Sequence, residues 1–470
     1  MNFEPVIFWT DALVFLLIGV MVGVIFYSRK KEHLLGPWRQ VVRSRLGLST
    51  LIILMAYVSV GLLDSFHYRP PIENADSQAV KQYSAEVLSV FDKMVTPLRI
   101  QVEKSYSKPF ATHLFSKETL ELENGERKRE YPRLDFGGRH LESPATEKWK
   151  DIIFNVALAL IEAVAVSAVM TMIVATFVSR KHLEPFVHGF KRVVYGDTEI
   201  PWNVVLLTVG VLLIVLMIVV NLGGKYHILG TDQIGKDVLY LSLKSIRTGL
   251  IIGTLTTLVM LPFAVVLGIM AGYFRGWVDD IIQYIYTTLN SIPGILLIAA
   301  MVLTMHVYMD NHPDLFETIS HRADMRLLFL CFILGITSWT GLCRLLRGET
   351  MKLREVDYIQ SATAFGVKSS KILGKHILPN VFHVVLIAVV IDFSGLVLAE
   401  AVLSYIGIGV DPSMNSWGNM INQARLEMAR EPLVWWSLLS AFFFMFTLVL
   451  SANIFSDTIR DAFDPRLRKQ

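Results

Sequence analysis

Nine stretches of the chain are apolar and long enough to be read as membrane-crossing helices: about 9–28, 47–64, 151–178, 202–222, 249–272, 281–305, 327–346, 380–406 and 433–454. A bilayer core requires about 20 mostly apolar helical residues, and 47–64 is the shortest of the nine. One long polar segment, residues 65–150, separates the second run from the third. Within it Val80, Tyr83, Val87, Val90 and Met94 recur at threes and fours, the pattern of an amphipathic helix, which Pro97 ends or kinks. Further on, Asn124 and Gly125 stand between two short strand-like runs and signal a hairpin. The expected fold is an all-α polytopic membrane protein of about nine transmembrane helices, with a small extracytoplasmic α+β insert.

Basic residues give the runs a direction, because cytoplasmic loops carry an excess of Lys and Arg. The first loop holds Arg29, Lys30, Lys31, Arg39, Arg43 and Arg45 against Glu32 alone. Loop 179–200 carries Arg180, Lys181, Lys191 and Arg192, and loop 344–379 carries seven bases from Arg344 to Lys375. The tail adds Arg460, Arg466, Arg468 and Lys469. Nine alternating spans put all four on one side, so the N-terminus is expected outside and the C-terminus in the cytoplasm. A signal peptide carries its positive charge before the apolar run, whereas here it follows, so the first run reads as a span. Two loops dissent: Arg275 faces Asp279 and Asp280 on the inner side, and Lys225, Lys236, Lys244 and Arg247 lie on the outer side.

Composition agrees with the spans. The 470 residues are 53% hydrophobic and 18% charged, with mean hydropathy +0.49, against roughly 45–50% and about 25% in soluble domains. This excludes a disordered chain. A net charge of +3 is too small to argue for nucleic acid. The two cysteines, Cys331 and Cys343, stand twelve positions apart in one run. On one helix that is ~18 Å, too far for a disulfide, so a disulfide-stapled secreted domain is excluded.

The search for chemistry is mostly negative. There is no G-x-x-x-x-G-K-[ST] phosphate loop, no H-E-x-x-H and no G-x-S-x-G. The histidines show no metal-ligand pattern, and His376 and His383 read as structural. No catalytic residue, no bound metal and no cofactor is expected on this chain, so energy for any active transport comes from elsewhere. Three carboxylates fall within spans: Glu162, Asp392 and Glu400. Such groups are functional candidates by default. They either relay a proton or cation, or are satisfied by a neighbouring helix, backbone or water. Glu400, near the outer end of its helix, reads as satisfied; for Glu162 and Asp392 both readings stand.

The loop 347–380 is the most informative segment. Val356, Ile359, Ala362 and Phe365 recur at three, with Glu355, Asp357 and Gln360 on other faces. This is a short amphipathic helix that Gly366 can end in the left-handed conformation. Pro379 suits the first turn of the next span. A short helix is thus expected across the cytoplasmic membrane exit.

Here the chain resembles the permease subunits of ATP-binding-cassette importers. Their EAA loop has the form E-A-A, three residues, G, nine residues, I-x-L-P. Gln360, Ser361 and Ala362 stand for E-A-A, with Gly366, Leu378 and Pro379 in register. Gln360 replaces Glu, and His376 stands where Ile is usual. The segment LGTDQIGKD at 229–237 resembles the dipeptide, oligopeptide and nickel permeases of the second-subunit type, with Lys236 for the usual Arg. AGYFRG at 271–276, SIPG at 291–294, WTG at 339–341, EAVLSYIGIG at 400–409, SWGNM at 416–420 and RDAFDPR at 460–466 are similar too. Together they cover about residues 225–467 in order.

The resemblance implies a six-helix core. Residues 223–470 supply five of its spans, and either 47–64 or 202–222 completes it, chain distance favouring 202–222. Residues 1–64 then form an extra N-terminal membrane region, 65–150 the insert, and 151–222 a pair of spans leading into the core. The implied function is one half of the translocation pathway of an ATP-driven peptide importer in a bacterial inner membrane. The implied coupling residues are Glu355, Asp357, Gln360, Ser361, Ala362, Gly366, Leu378 and Pro379. The implied partners are a second permease subunit, one or two ATPase subunits that use ATP and Mg²⁺, an extracytoplasmic substrate-binding protein and membrane lipid. Glu162, Asp392 and Glu400 are pathway or interface candidates. The alternatives are a proton-coupled secondary carrier using Glu162 and Asp392, and a membrane scaffold whose outer lobe senses envelope ligands. Carriers often show inverted repeats, and no two-half repeat is visible here.

Overall fold

The computed structural model describes residues 3–28, 32–71, 83–121, 127–316 and 318–463. In chain order the first elements are β1 (Glu4–Val6), α1 (Trp9–Ser28), α2 (Glu32–Arg43), α3 (Arg45–Ser65), β2 (His67–Arg69), β3 (Leu88–Ser89), α4 (Val90–Met94), α5 (Thr96–Ile100), β4 (Glu118–Glu121) and β5 (Arg127–Glu130). Then follow α6 (Pro144–His182), α7 (Phe186–Tyr195), α8 (Trp202–Gly223), α9 (Val238–Phe274), α10 (Gly276–Ser291), α11 (Gly294–Asn311) and α12 (Ile319–Arg354). The last are α13 (Asp357–Ala364), α14 (Ser369–Ile372), α15 (Leu378–Ile406), α16 (Trp417–Glu427) and α17 (Trp436–Phe463), with a π-type turn at Leu373–Ile377 joining α14 to α15.

Among the described residues, eight helices are long and apolar enough to cross a membrane: α3, α6, α8, α9, α11, α12, Ser369–Ile406 and α17. In α1 the apolar stretch is Trp9–Gly23. One expected span is corrected. The run 281–305 is not one helix, because α10 stops at Ser291 and α11 starts at Gly294. Pro293 explains the break: it has no N–H to donate and pushes the preceding residue out of the helical region. Ile292 is accordingly extended, at φ −90°, ψ 131°.

The chain forms two compact units, each made of three stretches of the sequence. One comprises residues 1–6, 39–247 and 415–451; the other comprises 7–38, 248–414 and 452–470.

In the first unit α8 packs along α6 and α3. The Tyr57 hydroxyl of α3 donates to the Phe444 carbonyl of α17 at 3.0 Å. The polar insert is α+β, as expected, but its helix is shorter. β1, β2 and β3 form an antiparallel sheet, with Glu4 opposite Arg69 and His67 opposite Ser89. Tyr83 bridges Pro71 in extended form, Val80 lies outside the described residues, and only Val90–Met94 is helical. Strand pairing overrides the local periodicity up to Ser89. There a reciprocal capping box between Ser89 and Asp92 starts the helix. Pro97 lies in the first turn of α5, where a missing N–H costs nothing. The hairpin forms, with Glu118 opposite Glu130 and Glu121 opposite Arg127; its Asn124–Gly125 turn lies outside the described residues.

The second unit is built on α9 and α12. A Cβ added to Gly268 would sit 2.8 Å from the Cys343 carbonyl oxygen, and one on Gly272 2.7 Å from that of Arg347. Lipid supplies no hydrophobic drive between helices, so small residues that allow close backbone approach supply packing instead. Ile269, Tyr286, Trp339, Leu346, Ile359, Ile372 and Val381 form one buried cluster there. α1 packs on α12: the Thr10 N–H donates to Asp324 at 3.3 Å, and Leu13 and Val14 join the cluster around Leu327. α8, in the first unit, packs on α6 and α3.

Candidate functional site

The loop after α12 folds into the short helix α13, whose first turn starts from Val356 in extended conformation. Ile359 is 1% exposed and anchors α13 in the cluster with Ile269, Ile372 and Ile377, and Ala362 packs beside it. Val356 and Phe365 do not join them; Phe365 is 88% exposed. The expected four-residue stripe is corrected by geometry, since each step of three residues falls about 60° short of a full turn. Asp357, Gln360 and Ser361 are exposed.

Gly366 ends the segment at φ +72°. Its N–H donates to the Thr363 carbonyl at 3.0 Å, and that of Val367 to Ala362 at 3.1 Å. No atom lies within 4 Å of where a Cβ would stand. The demand for glycine is therefore conformational alone. Leu378 and Pro379 are exposed in the first turn of α15. The following Asn380 donates to the His376 carbonyl at 2.6 Å and to the Tyr358 hydroxyl at 3.0 Å, tying α15 to α13.

Several of the charges that dissented from the loop pattern have partners. Asp279 of α10 accepts two hydrogen bonds from Arg347 of α12, at 2.6 and 2.7 Å. Arg275 lies 2.5 Å from Glu355. In the first unit, the Lys244 ammonium sits 2.8 Å from Asp64 and 2.5 Å from Asp92. Burial would raise the Asp92 carboxyl, but Lys244, the Ser89 N–H and the Tyr240 hydroxyl together outweigh it and hold the group below its ordinary range. Lys225 donates to Asn155 at 3.0 Å.

A second buried constellation was not foreseen. His227, fully buried, bonds Asp237 at 2.8 Å through Nδ1 and Glu103 at 3.3 Å through Nε2. Burial opposes its protonation, but the two carboxylates prevail and push it up to about 9. Burial likewise opposes ionisation of Glu103. His227 and the backbone N–H groups of Asp135, Phe136 and Gly137 prevail and hold it at about 2. This triad clamps the polar insert to residues 229–237. Gly235, at φ +82°, comes so close that a Cβ would meet the Glu103 carbonyl oxygen at 1.8 Å. Thr231 accepts from the Ser107 N–H at 2.6 Å and donates to the Ser105 carbonyl at 2.8 Å. The buried Trp436 indole donates to the Thr231 carbonyl at 2.9 Å. The two acids near 230–237 were visible in the sequence; nothing there marked Glu103.

The three intramembrane carboxylates have different surroundings. Glu162 of α6 accepts from the Asn221 amide of α8 at 2.9 Å. Glu400, 1% exposed, accepts from the Ser404 hydroxyl at 2.7 Å. Asp392 is half-buried on α15. Among the described residues no group of three or more His, Cys, Asp or Glu is arranged to hold a metal.

Residues 264–469 match the family described as binding-protein-dependent transport system inner membrane component. The glutathione transport system permease protein GsiD of Pectobacterium atrosepticum is 33% identical over 242 residues, 52% of this chain and 73% of that protein. The oligopeptide transport system permease protein OppC of Haemophilus influenzae is 30% identical over 52% of this chain and 71% of its own length. The dipeptide transport system permease protein DppC of Bacillus subtilis is 28% identical, covering 52% and 70%. These relatives are permeases, and the proton-coupled carrier reading finds no support among them. With its apolar helices and these relatives, the chain belongs to the binding-protein-dependent transport system inner membrane components, as a multi-pass permease subunit and not an enzyme.

Proposed function

We propose that this chain is one half of the translocation pathway of an ATP-driven importer for peptides. A second permease subunit completes the pathway. A separate ATPase docks on the cytoplasmic side, where Glu355, Asp357, Gln360, Ser361, Ala362, Gly366, Leu378 and Pro379 form or frame the coupling segment. The observation that carries this reading is α13 itself. It is anchored by the buried Ile359 yet leaves Tyr358 45% and Phe365 88% exposed, which is the form of a helix fixed on one side and free to be gripped on the other. ATP moves such a segment only through differential affinity for two conformations; ATP and Mg²⁺ belong to the partner. The names of the relatives, which specify glutathione, oligopeptides and dipeptides, support a peptide substrate delivered by an extracytoplasmic binding protein.

The N-terminus is placed outside and the C-terminus in the cytoplasm, in a bacterial inner membrane. The excess of Lys and Arg in the first loop, loop 179–200, loop 344–379 and the tail supports this. Asp392 is assigned to the pathway or to the interface with the second permease, and Glu162 and Glu400 to helix packing. The test is affinity purification of the tagged chain from its native membrane. Recovery of an ATPase and a second permease is expected; a chain that comes down alone and still transports would refute the reading.

A further inference from the structure

The family-type Glu of the E-A-A triplet is Gln360 here, and its surroundings give that difference a consequence. Glu355 caps the end of α12. Its Oε1 receives the Arg275 guanidinium at 2.5 Å. The Gln360 amide donates to the Glu355 carbonyl at 3.1 Å and lies 3.4 Å from the same carboxylate's Oε2. Arg275 is held at φ +55°, ψ −169°, where non-glycine residues rarely sit. It turns the chain from α9 into α10. One turn later, Asp279 fixes α10 to Arg347 of α12. So the start of α13 and the α9–α10 corner are joined by one chain of contacts, and α10 runs on to the Pro293 break before α11.

We propose that Arg275, Glu355 and Gln360 form a latch that sets the position of α13 against the α9–α10 corner, with Gln360 as a positioning residue whose amide, not a carboxylate, this chain requires. The inference deepens the reading of α13 as a coupling segment and rests on it for its functional consequence. An amide both donates to the Glu355 carbonyl and tolerates the neighbouring carboxylate. A carboxylate at 360 donates nothing and adds a second negative charge beside Glu355. Gln360→Glu, the change toward the family pattern, is therefore expected to loosen α13. Glu355→Gln in addition removes the repulsion but not the lost bond to the residue-355 carbonyl, so it restores the latch only in part.

The first arm uses the full chain alone in lipid nanodiscs and needs no ATPase. The initial rate of tryptic cleavage within residues 352–371 is compared for wild type, Gln360→Glu and Gln360→Glu/Glu355→Gln. The single variant is expected to be cut about threefold to fivefold faster, the scale of an exposed charge pair, and the double variant at a rate between the single variant and wild type. Cleavage unchanged in Gln360→Glu overturns the latch, as does an increase that the second substitution leaves undiminished. The second arm measures uptake per ATP hydrolysed in the reconstituted complex, and a loss of the same factor, restored in part in the double variant, is expected. Wild-type complex without ATP-dependent uptake would overturn the coupling reading, while the cleavage arm would still decide the latch. Uptake unchanged in Gln360→Glu while cleavage accelerates would overturn the latch's role in coupling.

Discussion

Arg347 holds Asp279 in a two-pronged grip, Nε to Oδ1 at 2.6 Å and Nη2 to Oδ2 at 2.7 Å, with Asp279 buried against α12. Parallel bonds of this kind are the strong form of a carboxylate–guanidinium contact. Removing one partner leaves a charge without its counterpart, which costs about 3 kcal/mol at the low end for buried pairs. Asp279→Ala is therefore expected to lower membrane abundance and thermal stability in detergent. Asp279→Ala/Arg347→Met, which removes both charges, is expected to recover much of the loss. Equal damage in single and double variants would show that the pair is incidental.

Gly366 differs from most glycines of the chain in having open space around it and a left-handed backbone, φ +72°. Gly366→Val is expected to impose strain of order 1–3 kcal/mol on an exposed turn and none on the packed spans. Abundance should stay near normal while substrate uptake falls to near zero. Ser370→Val, on the exposed side of α14, is the control. Full uptake by Gly366→Val at equal abundance would remove α13 from the coupling path.

At the insert, the opposite applies. Gly235 has a left-handed backbone and no room, with the Glu103 carbonyl oxygen 1.8 Å from an added Cβ. Gly235→Ala is expected to separate residues 103–107 from 229–237, and not merely to strain a turn. Limited proteolysis of residues 100–140 should accelerate in membranes. Protection equal to wild type would contradict the clamp.

The pH dependence of that clamp follows from its two shifted groups. His227 is raised from 6.5 to about 9, so its contribution is complete below pH 6.5 and is lost as pH rises through about 9. Glu103 is lowered from 4.5 to about 2, so its contribution is present above pH 4.5 and is lost as pH falls toward 2. The insert is expected to be most resistant to proteolysis between about pH 4.5 and 6.5. His227→Gln should flatten the alkaline limb. An alkaline limb unchanged in that variant would assign it to other groups.

Topology is open to direct labelling. Ala85→Cys in the insert and Ser370→Cys beyond α13 both place a thiol at an exposed position, and the native Cys331 and Cys343 are buried. An impermeant thiol reagent on intact spheroplasts is expected to label position 85 and spare position 370. The reverse pattern would invert the assignment.

Nearly all the spans were legible in the sequence because a helix in lipid must be apolar along its length, a property of consecutive residues. The end of α13 was legible for a similar reason: Gly366 satisfies a backbone demand that one residue meets alone. The SIPG break was not recognised, although Pro293 carries the signal, because hydropathy averages over the one residue that interrupts the helix. The stripe on α13 failed at its ends, since only the position of α9 and of the π-type turn decides that Ile359 is buried and Phe365 is not. The amphipathic pattern at 80–94 lost to strand pairing, a contact with residues far off in sequence. What only tertiary structure decided was partnership. Glu103 meets His227 across 124 positions, Lys244 meets Asp64 across 180, and Thr10 meets Asp324 across 314. Buried charges and polar groups must find partners, but periodicity is silent on which ones, because that choice belongs to the packing of helices and not to any one of them.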